Sequence, residues 1–121
     1  MKIKVGNDII ETKRIKRLYN KFGKRFVEKI YTPNEISYCE SKGINNVYSY
    51  AARFAGKEAV FKAISDLISN KYEIGWKDIE ILNNQSGKPC ATVRGLNVDI
   101  EISLSHEKEY AIATAVVVAD N

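Results

Sequence analysis

Asn46 to Ser69, NVYSYAARFAGKEAVFKAISDLIS, is the stretch on which the fold turns. It holds no proline, and its apolar residues keep a 3.6-residue period, which predicts the longest helix of the chain from Asn46 to about Ser69. At about 100° per residue, Ala52, Ala55, Gly56, Ala59, Val60, Ala63, Ile64 and Leu67 fall in one broad stripe for the core. The small residues among them, with Ala51, predict that sheet backbone or another subunit packs unusually close. Glu58 and Lys62 flank the stripe about 40° apart, so both heads reach one spot at the margin of the core. By itself such a pair is most simply a surface ion pair. Arg53 and Lys57 are expected to project from the far margin.

Outward from this helix the pattern changes on both sides. Residues 2 to 10 alternate, with Ile3, Val5 and Ile9 on one side and Lys4, Gly6 and Asp8 on the other, which predicts a strand with one buried face and Asp8 pointing away from the apolar row. From Thr12 to about Phe26, Ile15, Leu18, Tyr19, Phe22 and Phe26 recur at helical steps, with a possible break near Gly23. Thr32-Pro33-Asn34-Glu35 carries the signature of a capping box with proline behind the cap, so a short helix should run to about Glu40 and end at Lys42-Gly43. After Gly75 come alternating segments around Ile79 and Ile81, Ala91 and Val93, Val98 to Leu104, and Tyr110 to Val118. Asn83-Asn84-Gln85-Ser86-Gly87 and Arg94-Gly95 read as turns between them. The fold class expected is α+β, an antiparallel sheet packed around one long helix, in a single domain over residues 1–121.

Composition narrows the function. A chain of 121 residues with 45% hydrophobic content supports one core. Its 19 Lys and Arg against 15 Asp and Glu give +4, too modest a surplus to single out nucleic acid as the partner. Between Lys13 and Lys29, however, eight cations face only Glu28, a local surplus larger than that of the whole chain. Charge runs are usually solvated faces. Cys39 and Cys90 are isolated and read as buried or idle thiols. No stretch approaches the roughly 20 apolar residues that span a bilayer, so a soluble intracellular chain is expected.

Gly6-Asn7-Asp8-Ile9, Arg53-Phe54-Ala55-Gly56-Lys57-Glu58-Ala59 with Lys62, Trp76-Lys77-Asp78-Ile79-Glu80-Ile81, Gly87-Lys88-Pro89 and Ser103-Leu104-Ser105-His106 occur in this order. Together they resemble the holo-[acyl-carrier-protein] synthase family of small phosphopantetheinyl transferases, over Lys4 to Val118. The resemblance implies the phosphopantetheinyl transferase-like fold and transfer of 4'-phosphopantetheine from coenzyme A to a serine of an apo acyl carrier protein, in the service of fatty acid biosynthesis and lipid metabolism in the cytoplasm. It further implies that Asp8 and Glu58 hold Mg²⁺ against the diphosphate, with Lys62 beside the same phosphates. Arg53 and His106 become candidate contacts for the nucleotide part, and Gly87, Lys88 and Pro89 for phosphate or pantetheine. On local grounds alone, Gly87-Lys88-Pro89 is a tight turn and the single His106 a structural residue. Ser103 and Ser105 lack a triad signal.

Acyl carrier proteins are acidic, and the likeness implies docking through the basic first helix, with Arg14 and Arg17 as preferred anchors and Lys21 and Arg25 beside them. It also implies a homotrimer with active sites between subunits. One departure is Asn7, where the family usually has an apolar residue. The competing reading is a basic, non-catalytic module binding nucleic acid or protein, for which seven tyrosines are available but no recognised nucleic-acid motif is present.

Overall fold

The structure, a computed structural model, describes residues 1–70 and 72–120. The chain runs β1 (Lys2–Glu11), α1 (Thr12–Phe22), α2 (Lys24–Ile30), α3 (Pro33–Glu40), α4 (Asn46–Ile64), then β2 (Ile79–Asn83), β3 (Pro89–Val93), β4 (Asp99–His106) and β5 (Tyr110–Ala119). Single 3₁₀ turns at Gly43–Asn45 and Trp76–Asp78 precede α4 and β2. The expected α+β class holds, with two antiparallel sheets in place of one: β1-β5-β4 and the hairpin β2-β3.

The first and last strands pair along their whole length, Lys2 opposite Ala119 through Glu11 opposite Tyr110. On the inner face of this sheet, Ala111, Ala113, Ala115 and Ala119 of β5 present almost no side chain, and α4 lies against them. Gly6 takes the approach further. A Cβ there would come within 1.8 Å of Ala59 O and 2.7 Å of Ala63 N, so β1 can cross α4 only because position 6 is glycine. Gly56 meets the other elements in the same way, with Ile81, Leu104 and Ile102 around it. The small residues of the helix are thus explained by sheet packing within one chain.

The face of β1 that turns inward is the reverse of the one expected. Gly6 and Ile10 are buried with Asp8 half-buried between them, whereas Ile3, Val5 and Ile9 are 61%, 62% and 58% exposed. Ile112 beside them on β5 is 42% exposed. The apolar alternation was real but describes an uncovered sheet face. Asn7 lies on it too, donating from Nδ2 to Thr114 Oγ1 at 2.7 Å, so the polar departure has a polar partner.

The helices differ from expectation mainly at their ends. Gly23, at φ +52°, splits the predicted first helix into α1 and α2, and α2 continues to Ile30. The capping box at Thr32 and Glu35 forms as expected. The long helix stops at Ile64, five residues short of Ser69. Arg53 and Lys57 do not project into solvent: they are 3% and 0% exposed. Each is drawn inward by polar partners far away in sequence, described below. Cys39 is buried, which pushes its thiol up to about 12, and Cys90 is exposed. Among the described residues no helix is long and apolar enough to cross a membrane.

Candidate active site

Gly6 and Asp8 share the inner face of β1, roughly 7 Å apart along the strand. Because Gly6 seats β1 on Ala59 and Ala63, Asp8 arrives beside the flanking residues of α4. Lys62 Nζ donates to Asp8 Oδ1 at 3.1 Å and to the Asn7 carbonyl at 2.9 Å. The Asp8 side chain is 16% exposed and that of Lys62 54%, so a partly covered carboxylate meets a mobile ammonium. Glu58 faces the same opening. Its carboxyl is raised above the ordinary range, first by burial and then by the Asp8 carboxylate, with Lys62 and Arg14 opposing the shift. The strand acid and the helix acid therefore converge, as the sequence suggested.

Two neighbouring carboxylates that repel each other are a fitting donor set for Mg²⁺, which takes one or two carboxylates and completes its shell with phosphate oxygens and water. Among the described residues no third His, Cys, Asp or Glu joins them.

Arg14 connects this opening to a second feature. Its guanidinium lies 5.8 Å from the centre of the Phe54 ring, one helical turn before Glu58. Arg14, Arg25 and Lys29 rim a groove of about 470 Å³ whose floor is Leu18, Phe22, Phe26, Ile30, Phe54 and Trp76. Trp76 stacks on Phe54 at 5.0 Å. The sequence reading found the cations and missed this floor, because Leu18, Phe22 and Phe26 had been counted as core. Phe22 is 40% exposed, so the basic segment does carry an exposed aromatic. Arg17 and Lys21 are exposed outside the lining, Lys21 resting over the Phe22 ring at 5.3 Å.

The remaining candidates stand elsewhere. His106, at the end of β4, is two strands from Asp8 across β5 and stacks on Tyr48 at 5.6 Å. Gly87, at φ +87°, forms the turn before β3, and Asn84 Oδ1 accepts the Lys88 N–H at 3.0 Å across it. Lys88 pairs with Glu101 at 2.8 Å, and with Pro89 it borders a groove of about 430 Å³ over Ser103 and Thr114. Arg53 reaches this turn indirectly. Its Nε donates to Ile81 O at 3.1 Å and its Nη2 to Asn83 Oδ1 at 2.9 Å, while Asn83 Nδ2 donates to Gly87 O at 3.2 Å. The expected nucleotide contact at Arg53 is thus a buried side chain that braces the β2–β3 hairpin.

The sequence profile of the 4'-phosphopantetheinyl transferase superfamily matches residues 4–115. The chain belongs to this superfamily. A holo-[acyl-carrier-protein] synthase of Ruminiclostridium cellulolyticum is 43% identical over 97% of the chain and 92% of its own length. One from Thermodesulfovibrio yellowstonii is 44% identical over 93% and 96%. Among solved structures, the Bacillus anthracis synthase in complex with CoA (3',5'-ADP) superposes with a TM-score of 0.83 at 34% identity, covering 97% of this chain and 96% of that one. The fold of this transferase is therefore that of the synthases, as the resemblance implied.

Proposed function

We infer that this chain transfers the 4'-phosphopantetheine group of coenzyme A to a serine hydroxyl of an apo acyl carrier protein, giving holo carrier and 3',5'-ADP. The observation that carries the reading is the convergence of Asp8, Glu58 and Lys62 at the end of a cation-rimmed, apolar-floored groove. Relatives sharing over 40% of their residues are holo-[acyl-carrier-protein] synthases, and the Helicobacter pylori synthase, 32% identical, has been solved in complex with coenzyme A.

In the reaction the serine oxygen forms a bond to the phosphorus that bears pantetheine, and the bond from that phosphorus to the bridging oxygen breaks. The bridging oxygen leaves with 3',5'-ADP. Displacement at phosphorus is governed by alignment and charge neutralisation. Mg²⁺ held by Asp8 and Glu58 would neutralise charge on the diphosphate oxygens. Glu58, whose affinity for protons is raised, takes the serine proton directly or through a water. Lys62, half in solvent, offsets charge on the leaving side. Coenzyme A and carrier proteins place the work in the cytoplasm, where it serves fatty acid biosynthesis.

The groove supplies the docking surface. Arg14, Arg25 and Lys29 meet the acidic face of a carrier helix while Phe22, Phe54 and Trp76 take its apolar residues, and Arg17 and Lys21 steer it from outside. The uncovered face bearing Ile3, Val5, Ile9 and Ile112 supports a homotrimer. Gly87, Lys88, Pro89 and His106, remote from the carboxylates within one chain, then complete the site of a neighbouring copy. Arg53 contributes by holding the Gly87 turn.

Incubating the chain with coenzyme A, Mg²⁺ and apo carriers, then weighing the carrier, tests the transfer. No mass gain with any carrier, alongside RNA binding, would replace it with the binding-module reading. In the same assay, Arg14→Glu and Arg25→Glu each raise the carrier KM at least about tenfold and flatten its salt dependence, while the coenzyme A KM holds. A carrier KM unmoved by both would remove docking from this groove. Val5→Glu or Ile9→Glu should yield monomers in sedimentation, and a trimer persisting in both variants would place the interface elsewhere.

A further inference from the structure

The transfer chemistry leaves one charged pair without a task. Lys57 and Glu35 are both fully buried, with Nζ and Oε1 2.7 Å apart. An ammonium has three N–H donors, and those of Lys57 meet three acceptors: Glu35 Oε1, Trp76 O at 2.9 Å and Ile79 O. Glu35 is equally occupied. Its Oε1 also accepts the Thr32 N–H at 2.8 Å, and its Oε2 accepts the Ile81 N–H at 2.8 Å. Two charges withdrawn from water add little net stability even when well paired, so stabilisation alone is a weak reason for the arrangement. Its evident effect is geometric. It bolts together the start of α3, the middle of α4, the turn at Trp76–Asp78 and strand β2.

That turn carries a wall of the docking groove. The Trp76 ring stacks on Phe54 and meets Phe61 edge-on at 5.6 Å, while its carbonyl is held by Lys57. Phe54, Lys57, Glu58 and Phe61 all belong to α4, and Glu58 follows Lys57 directly. One ammonium therefore registers the groove wall against the helix that bears the reacting carboxylate. We propose that Lys57 and Glu35 are positioning residues for carrier recognition, the buried pair locking the Trp76 backbone onto α4 so that the groove stands in fixed register with Glu58. This rests on the transferase reading above.

Trp76 is the only tryptophan of the chain and so reports on its own environment. Lys57→Met alone strands a buried carboxylate and can unfold the protein. The test is the neutral double variant Lys57→Met/Glu35→Gln, in which the amide at position 35 still accepts an N–H while Trp76 O and Ile79 O lose their donor. Expected are a native circular dichroism spectrum, red-shifted Trp76 emission and acrylamide quenching about twofold stronger. The carrier KM rises about tenfold and the coenzyme A KM stays within about twofold. A folded double variant with native emission and an unchanged carrier KM would overturn the proposal. So would one that merely melts earlier with both KM values intact, or one that loses its fold, since either makes the pair a plain stabiliser. Wild-type protein runs in parallel. Should it transfer nothing, the transferase reading falls, while the emission of the variant still decides whether the pair holds Trp76.

Discussion

Glu58→Gln is expected to lower transfer by about 10³-fold or more, since it removes both the proton acceptor and half of the proposed metal donor set. The same change should raise the thermal midpoint at neutral pH. The reasoning follows from the direction of the Glu58 shift. In the unfolded chain the carboxyl titrates near its ordinary 4.5, whereas in the fold burial and Asp8 raise it. Between those two values the folded protein binds more protons than the unfolded one, so stability falls as pH rises through the window and the deficit persists above it. A neutral amide escapes that deficit. Below pH 4.5 both states carry a protonated Glu58 and the advantage of the variant should vanish. Mg²⁺ should raise the midpoint of the wild type at pH 7 and do little for the variant, because binding to the folded state alone stabilises it. In the free enzyme, kcat/KM should fall on the acid side at a pH above the ordinary carboxyl value. Melting curves with and without Mg²⁺ and a pH–rate profile make the comparison. A variant that keeps its turnover would dissolve the assignment of Glu58, and one that melts earlier at pH 7 would contradict the strained pair of acids.

Much of this was legible in the chain, and the failures have physical causes. The helix of α4 could be read from its small-residue stripe because helical periodicity is a local property. The inward face of β1 could not. Ile3, Val5 and Ile9 look like core by every apolar measure, yet the residue that touches α4 is Gly6, which has no side chain to count. A sheet face suited to another copy and one suited to the chain's own helix have the same composition. The burial of Arg53 and Lys57 was hidden for a different reason. Their acceptors, Ile81, Asn83, Glu35, Trp76 and Ile79, lie at least 19 residues away, beyond the reach of any helical-wheel argument. Phe22 was hidden by its spacing, since a groove floor on α1 repeats every three or four residues just as a core face does. Asp8, Glu58 and Lys62 were named correctly because a family pattern supplied the long-range pairing that spacing lacks.

Gly6→Ala is the substitution that most directly probes how those three residues come together. The added Cβ has no flexible neighbour to displace: the atoms it meets are Ala59 O at 1.8 Å and Ala63 N at 2.7 Å, both backbone of α4. Either the strand lifts from the helix or the helix bends, and both routes strip contacts from a tightly packed inner face. Overpacking of cores typically costs about 1–3 kcal/mol, and a clash with rigid backbone belongs at or above the top of that range. For a domain of this size a loss of about 3 kcal/mol lowers the thermal midpoint by roughly 10 °C or more. Activity should fall further than the folded fraction does, because Asp8 rides on the same strand face and its distance to Glu58 and Lys62 changes with any lift of β1. The discriminating measurement is therefore turnover per folded molecule, taken well below the midpoint and across Mg²⁺ concentrations. Weakened Mg²⁺ dependence at full folding is the expected outcome. A folded variant with wild-type turnover and the wild-type response to Mg²⁺ would mean that the close crossing at Gly6 does not set the geometry of the acids, and that Asp8 is placed by the β1–β5 pairing alone.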